Sequence, residues 1–235
     1  KNKMHILLTR PIEDSKEMIL KFKSLDHKIS HIPLISIKKL NYDEVDFSIY
    51  SGIIFTSSNA IKFLETKNIN KKISCFCVGN ITEITAKNFG FQNIFSASGN
   101  VNNLKEIIYK NFEASDGNLL YVSGENVSID LSVELTKNNY KIKRLINYKS
   151  SKNKIFDDNL IKKLRQNIPD IVFIYSQLSA QSFLELIKNN NFQNDWKNTN
   201  LMCLSEKISS VLNEIKWKKI FIFNPGEEEF LLYKI

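Results

Sequence analysis

Cysteine is scarce in this chain: Cys75, Cys77 and Cys203 are an odd number and include no CxxC pair. A disulfide framework is therefore not indicated, and the cell interior is the expected compartment. Long apolar runs are also missing, since the longest are strand-sized, as at residues 171–175 and 220–223. A membrane-spanning helix needs about 20 apolar residues. We therefore expect no membrane segment, no secretory signal and a cytoplasmic protein.

Arginine is rare as well, occurring only at Arg10, Arg144 and Arg165, although the formal net charge is +8. Proteins that bind nucleic acids usually concentrate arginine and aromatic residues in one patch. Here the basic residues are almost all lysines spread along the whole chain. We interpret the charge as a solvated surface and expect no nucleic-acid partner.

Familiar motifs of nucleotide, hydrolase and metal sites are absent too. No GxGxxG, GxxxxGK[ST] or GxSxG pattern occurs, so a dinucleotide, P-loop or nucleophile-elbow site has no support. His27 and His31 are four residues apart, but Pro33 and the apolar residues around them indicate an extended segment with both histidines on the surface. We expect no metal site. Cys75 and Cys77 share one face of a predicted strand, where core packing is the interpretation.

Short apolar runs alternate with segments of helical period along the whole chain, which predicts βα units and largely parallel sheets. The predicted strands are residues 5–9, 28–37, 52–55, 74–78, 93–95, 118–122, 141–148, 171–175, 201–204 and 219–223.

An internal repeat supports this organisation. A shift of 126 residues places residues 78–95 on 204–221 without a gap, and a shift of 113 places residues 6–29 on 119–142. A third pair, residues 55–60 and 174–180, needs one inserted residue. Any two βα units share apolar spacing, but three matches in the same order favour duplication into two similar α/β halves. The repeat leaves open whether each half folds alone or the first unit joins the last two.

Small polar residues are concentrated where the predicted strands end and helices begin. They include Thr56, Ser57, Ser58, Asn59, Gly79, Asn80, Ser123, Gly124, Glu125, Ser176, Ser179 and Ser205. Such residues commonly cap helices. Helix amino termini also attract anions through free N–H groups and the helix dipole. Capping is the simpler interpretation of each turn, whereas the whole set favours a ligand cleft at the carboxyl ends of the strands.

These segments together resemble the uroporphyrinogen-III synthase family along nearly the whole chain. The resemblance is carried by residues 6–11, 54–60, 78–82, 120–125, 146–150, 173–176 and 203–205, and by Trp217 and residues 224–226. It implies two flavodoxin-like, three-layer α/β domains with parallel sheets, joined by a two-stranded linker. Residues 1–37 plus 150–235 would form one domain and residues 38–149 the other, so the first repeat unit would join the last two. A double crossing of this kind would make a hinge.

The resemblance also implies the chemistry. The substrate would be hydroxymethylbilane, a linear tetrapyrrole with carboxylates on every ring. The enzyme would close it with inversion of the last ring and loss of water, without a cofactor. Tyr148 matches the family tyrosine at the end of the linker strand and is the candidate acid; its alternative role is to orient the substrate. Thr82 joins the polar turns as a binding residue, and Arg10 would assist one carboxylate. A monomer that receives substrate from hydroxymethylbilane synthase is expected.

Three residues depart from the family pattern. Ser123 stands where the family often has Arg, Ile208 where Thr is common, and Glu83 where Ala usually follows Thr82. A glutamate near a carboxylate site is unfavourable unless it points away. A non-enzymatic, two-domain binding protein for a small anion is the alternative hypothesis, because it would have similar turns and a similar hinge.

Overall fold

The computed structural model describes residues 3–235, in which strands and helices alternate. The strands are β1 His5–Leu8, β2 Lys28–His31, β3 Ile35–Lys39, β4 Tyr50–Phe55, β5 Ser74–Val78, β6 Asn93–Ala97, β7 Asn118–Gly124, β8 Ile142–Lys152, β9 Ile171–Ile174, β10 Asn200–Cys203 and β11 Lys219–Ile222. The helices are α1 Ile12–Ser24, α2 Ser58–Lys62, α3 Asn80–Asn88, α4 Val101–Asn111, α5 Leu131–Thr136, α6 Asp158–Gln166, α7 Gln177–Asn189, α8 Glu206–Val211 and α9 Glu228–Leu231. The expected α/β class is confirmed. Residues 1 and 2, which begin the first predicted domain, lie outside the described residues.

The chain divides into two compact units. Unit 1 contains the chain up to Ile37 together with Ser151–Ile235, and unit 2 is the continuous segment Lys38–Ser150. The chain leaves unit 1 within β3 and returns to it within β8, so both connections are strands.

Both units contain a sheet with the same strand topology. The order is β2-β1-β9-β10-β11 in unit 1 and β8-β7-β4-β5-β6 in unit 2, where β3 adds an outer strand beside β8. The pairings within each five-strand set are parallel. In the first set Ile6 lies opposite Ile171, and in the second Leu120 lies opposite Ile53.

The order of the strands answers the question that the repeat left open. The first βα unit, β1-α1-β2, does not join the strands that follow it. It lies beside β9 and β10 of the second half, whereas its repeat partner β7-α5-β8 lies beside β4 and β5 of the first half. The two halves have therefore exchanged their first units.

Each sheet has an apolar cluster on both faces, which makes each unit three-layered. Leu7 of β1 packs into a cluster with α6, α7 and α8, and its neighbour Ile6 packs on the other face with residues of α1 and α9. In unit 2 the neighbours Ile53 and Ile54 face opposite clusters in the same way. A strand that is buried on both faces consists of a continuous run of apolar residues. Such runs are easy to recognise in a sequence, so the predicted strands lie close to the observed ones.

Three details differ from the sequence-based expectations. The predicted strand 28–37 is two strands, β2 and β3, separated by a segment that contains Pro33, which has no N–H to donate to a ladder. His27 is buried rather than on the surface, and its Nδ1 accepts a hydrogen bond from the main-chain N–H of Met4 at 3.2 Å. The helix α9 was not predicted. Within residues 3–235 no helix has the length and apolar character needed to cross a bilayer.

Unit 2 is one continuous segment of the chain and contains two apolar clusters. Near its two ends, Leu40 N donates a hydrogen bond to Asn147 O at 2.9 Å. We expect a fragment of residues 38–150 to fold alone, with cooperative thermal unfolding by circular dichroism and dispersed amide resonances. A fragment of the same length, residues 1–113, lacks β7, which lies between β4 and β8, and should not fold. A non-cooperative transition of the 38–150 fragment would contradict this expectation.

Candidate functional site

Unit 2 collects most of the predicted binding turns at one edge of its sheet. The parallel strands β7, β4 and β5 are neighbours, so the turns that follow them lie side by side at their carboxyl ends. The predicted site residues of this edge are Thr56, Ser57, Ser58, Asn59, Gly79, Asn80, Thr82, Ser123, Gly124, Glu125 and, on the adjacent strand β8, Tyr148. The remaining four, Arg10, Ser176, Ser179 and Ser205, are in unit 1.

A change of register places Tyr148 beside Gly124. Ser123 pairs with Ile146, but the next residue, Gly124, pairs with Tyr148, so Asn147 is an extra residue on β8. Bulges of this kind redirect side chains and are frequent near active sites. The side chain of Asn147 is fully buried and its Nδ2 donates to Ala60 O of α2 at 2.8 Å. The bulge is therefore attached to the helix that follows the 56–59 turn.

The ring of Tyr148 lies directly over Gly124. A Cβ atom added at Gly124 would be 2.6 Å from Cε2 and 2.7 Å from Cζ of that ring. Phe63 lies on the ring as well, with centroids 6.3 Å apart, and the main-chain N–H of Glu125 donates to the carbonyl oxygen of Tyr148 at 2.9 Å. Only glycine leaves room for the phenol at this place.

Several predicted hydroxyl groups are buried inside unit 2 or unit 1. The exposed fractions are 5% for Ser58, 5% for Thr82, 0% for Ser123 and 2% for Ser179. The Ser123 hydroxyl donates to Gly124 O and accepts from Arg144 Nε, so its hydrogen bonds are made within the protein. These residues are therefore largely closed to solvent, main chain and hydroxyl alike.

The turns differ in whether a side chain caps the helix that follows. Ser57 accepts a hydrogen bond from Asn59 N at 3.2 Å, and Ser176 accepts one from Ser179 N at 3.0 Å, so both are helix caps. The helix α3 begins after Gly79 without a side-chain cap, and Gly79 has a φ of 82° that favours glycine. Ser205 precedes α8 but makes no cap bond. The first N–H groups of α3 therefore remain suited to an anion.

In unit 1 the predicted Arg10 stacks on an unpredicted aromatic residue. Its guanidinium carbon lies 4.1 Å from the centre of the Tyr175 ring, at the carboxyl ends of the neighbouring strands β1 and β9. The Tyr175 hydroxyl donates to Glu228 Oε1 at 3.1 Å, and Glu228 Oε2 accepts from Gly226 N at 2.8 Å. Burial raises the pKa of the Tyr175 phenol, although Arg10 opposes the shift. The phenol thus stays protonated and binds Glu228 at the start of α9.

Glu83 and Ile208, two of the residues that depart from the pattern expected from the resemblance, both make their contacts within their own unit. Glu83 binds Lys87 one turn along α3, with 2.5 Å between Oε1 and Nζ. The hydrogen bond from Lys87, followed by one from Ser96, lowers the pKa of Glu83. Its charge is thus compensated within the helix. Ile208 is buried in the core of unit 1. No group of three or more His, Cys, Asp or Glu residues suited to a metal ion occurs in the described part of the chain.

A family model described as uroporphyrinogen-III synthase HemD matches residues 16–225. The chain belongs to the uroporphyrinogen-III synthase family. This family consists of cyclising lyases of tetrapyrrole biosynthesis, which act on a small tetrapyrrole molecule. The predicted family and enzyme class are thereby confirmed.

Two further similarities accompany the family match. The crystal structure of a uroporphyrinogen-III synthetase from Helicobacter pylori 26695 aligns with a TM-score of 0.63 and 19% identity, covering 99% of this chain and 100% of the other. At this identity it supports the fold alone. The alignment with an uncharacterised protein of Rickettsia prowazekii (strain Madrid E) shows 22% identity and covers 97% of each chain.

Sequence reasoning missed four residues next to the predicted sites of this synthase-family protein: Asn147, Tyr175, Glu228 and Arg144. Asn147 and Tyr175 each adjoin a residue that was predicted, so the motif gave their place but not their contacts. Glu228 and Arg144 are far in sequence from the turns that they contact. Only the strand register brings Arg144 opposite Tyr121 and next to Ser123.

We expect Gly124→Ala to lower the free energy of unfolding by about 1–3 kcal/mol, because the new methyl group would overlap the Tyr148 ring. In a Tyr148→Ala background the ring is gone and most of this cost should disappear. Urea unfolding of the four proteins of this double-mutant cycle measures the coupling. Equal costs in both backgrounds would show that Gly124 does not constrain the ring.

Proposed function

We propose that the protein converts hydroxymethylbilane to uroporphyrinogen III, closing the linear tetrapyrrole with inversion of its last ring and release of water. The observation that carries this proposal is the family match over residues 16–225. The edge of unit 2, with three polar turns side by side and a tyrosine at its end, supports it.

The substrate carboxylates are proposed to bind at the carboxyl edges of the two sheets. At the start of α3, N–H groups without a side-chain cap and the positive end of the helix dipole favour a carboxylate. Arg10 supplies a cation held in place by Tyr175, and arginine suits carboxylates because of its paired donors. Of the other predicted residues of these edges, those that are at least partly exposed, such as Thr56, Asn59 and Asn80, contribute side-chain or main-chain contacts. Holding the substrate curled brings its reacting ends together, which supplies much of the rate enhancement.

Tyr148 is proposed to act as the acid at the leaving hydroxyl group. Proton donation lets the hydroxymethyl oxygen leave as water and gives an azafulvene cation. The substituted carbon of the last ring attacks this cation, and the spiro intermediate fragments and recloses with that ring inverted. Loss of a proton from the closing pyrrole carbon then returns a proton to the phenolate. The ring of Tyr148 is held by Gly124 and Phe63, which suits a group whose position matters.

The proposal extends to the domain organisation, the cellular location and the oligomeric state of the protein. We propose that units 1 and 2 act as two domains, and that the protein is a cytoplasmic monomer receiving substrate from hydroxymethylbilane synthase. The single substrate needs no cofactor for this chemistry, since each step is a proton transfer, the loss of water by carbon–oxygen cleavage or a carbon–carbon bond change, with no oxidation or reduction. Sedimentation velocity tests the monomer, and a concentration-dependent dimer would contradict it.

The activity is tested with freshly generated hydroxymethylbilane, which closes without enzyme to the type I isomer. The protein should shift the product to the type III isomer, measured by chromatography of the oxidised porphyrins. Tyr148→Phe should lower kcat about tenfold or more, since an acid typically contributes at least that much. The matched control is Tyr109→Phe, an exposed tyrosine of α4, which should retain full activity.

Each outcome of this experiment has a distinct meaning. Only type I product, as in the enzyme-free reaction, would rule out catalysis and favour a non-enzymatic anion-binding protein. Type III product with an unchanged rate for Tyr148→Phe would remove the acid role from Tyr148 while leaving the synthase activity in place.

A further inference from the structure

Arg144 lies at the unit 2 edge and directs four of the five N–H donors of its guanidinium group to partners within the protein. Its Nε donates to Ser123 Oγ at 2.8 Å, and its Nη2 donates to Gly124 O at 2.8 Å and to Glu125 O at 3.0 Å. Its Nη1 donates to Asp130 Oδ2 at 2.9 Å. The side chain is 18% exposed. A single residue of β8 thus holds three consecutive residues, the last two of β7 and the first of the turn that follows it.

The same guanidinium also fixes the far end of this turn. Asp130 is the cap of α5 and accepts hydrogen bonds from the main-chain N–H and the hydroxyl of Ser132. Burial alone would raise the pKa of Asp130, but the hydrogen bonds from Ser132 and the charge of Arg144 outweigh it and lower that pKa. The carboxylate therefore stays charged at neutral pH. The turn is attached at both ends to one side chain.

The segment held by Arg144, from the end of β7 into the following turn, is the one against which the Tyr148 ring packs. Gly124 lies under the ring, and Glu125 N donates to Tyr148 O at 2.9 Å. Both residues offer their carbonyl oxygens to the guanidinium. A shift of the turn away from Arg144 would move the surface against which the phenol packs, and displacements of about 1 Å are enough to slow a reaction strongly.

We propose that Arg144 is a positioning residue that fixes the place of the Tyr148 phenol through the main chain of Gly124 and Glu125. This inference rests on the function proposed for Tyr148. Four of its five N–H donors are directed to Ser123, Asp130 and the two carbonyls, so the role proposed for Arg144 acts through contacts within the protein.

The planar, five-donor geometry of arginine is what this role requires. Four hydrogen bonds diverge from one rigid group. A lysine ammonium is a point charge with three donors at the end of a flexible chain and cannot bridge all these partners. Arg144→Lys should therefore restore little of the loss caused by Arg144→Met.

The kinetic experiment is a double-mutant cycle. Arg144→Met should lower kcat about tenfold when Tyr148 is present, with KM changed less than threefold. In the Tyr148→Phe background the same substitution should change kcat less than twofold, because the proton donor that it positions is already missing. Lys143→Met, an exposed residue on the same strand, is the matched control and should leave kcat unchanged. Equal losses in both backgrounds, or no loss at all, would overturn the proposal.

A second measurement does not depend on activity. In protein labelled with 3-fluorotyrosine, the ¹⁹F resonance of Tyr148 is assigned from its absence in Tyr148→Phe. Arg144→Met should shift or broaden this resonance, and Lys143→Met should not. An unchanged Tyr148 signal would overturn the positioning role even if the protein proves to be a synthase. A changed signal in a protein that forms no type III isomer would instead retain the positioning and refute the catalytic function.

The folding of the Arg144→Met variant needs its own control, and a milder variant is available. Urea unfolding of Arg144→Met shows whether unit 2 remains folded. If it does not, Asp130→Asn keeps the arginine and removes its charged partner. That variant should give a smaller kcat loss of the same kind, absent in the Tyr148→Phe background. Additive losses from Asp130→Asn and Tyr148→Phe would overturn the proposal.

Discussion

The parallel pairing of β1 with β9 is the constraint on which the rest of the structure depends. It joins strands about 165 residues apart, with Ile6 opposite Ile171 and Leu7 opposite Val172. Once these strands are neighbours, β2 takes the outer position of unit 1. The middle of the chain must then leave and return through β3 and β8. The repeat partner β7 makes the equivalent pairing with β4. One exchange of modules thus gives both sheets the same topology.

The same constraint determines where chemistry can occur. In a parallel sheet the turns that follow the strands all lie at the carboxyl ends of those strands. Helix starts and polar residues therefore gather at this edge without any ligand-specific fold. The unit 2 edge adds a bulge that brings Tyr148 over Gly124, and unit 1 adds a stacked arginine. The proposed role of each edge therefore follows from strand order combined with a few local contacts.

The sequence predicted the strands well because they are apolar on both faces. Residues 74–78 are bounded as predicted, and Cys75 and Cys77 lie fully buried on one face. Prediction from the sequence failed where tertiary contacts determine whether a residue is buried or an element forms. His27 is buried because the turn after α1 folds back against the beginning of β1, and α9 is a four-residue helix too short for a periodic signal.

The candidate site could be located from the sequence but not completed from it. The turns and Tyr148 were identified by motif, and the sheet order places the unit 2 members side by side. Whether a serine caps, binds or is buried depends on distances that no motif records, as Ser57, Ser205 and Ser123 show. Arg144 was hidden because its relation to Ser123 exists only in the register of β7 with β8.

The exchange of modules also dictates an order of events on the ribosome. The strand β1 and the helix α1 leave the ribosome before β9, the partner of β1, which follows about 165 residues later. At roughly 5–20 residues per second this is a delay on the order of ten seconds. Unit 2 can be completed during that interval, while Ile6 and Leu7 remain uncovered. The segment β1-α1 is thus the part of unit 1 for which protection by a chaperone during translation matters most.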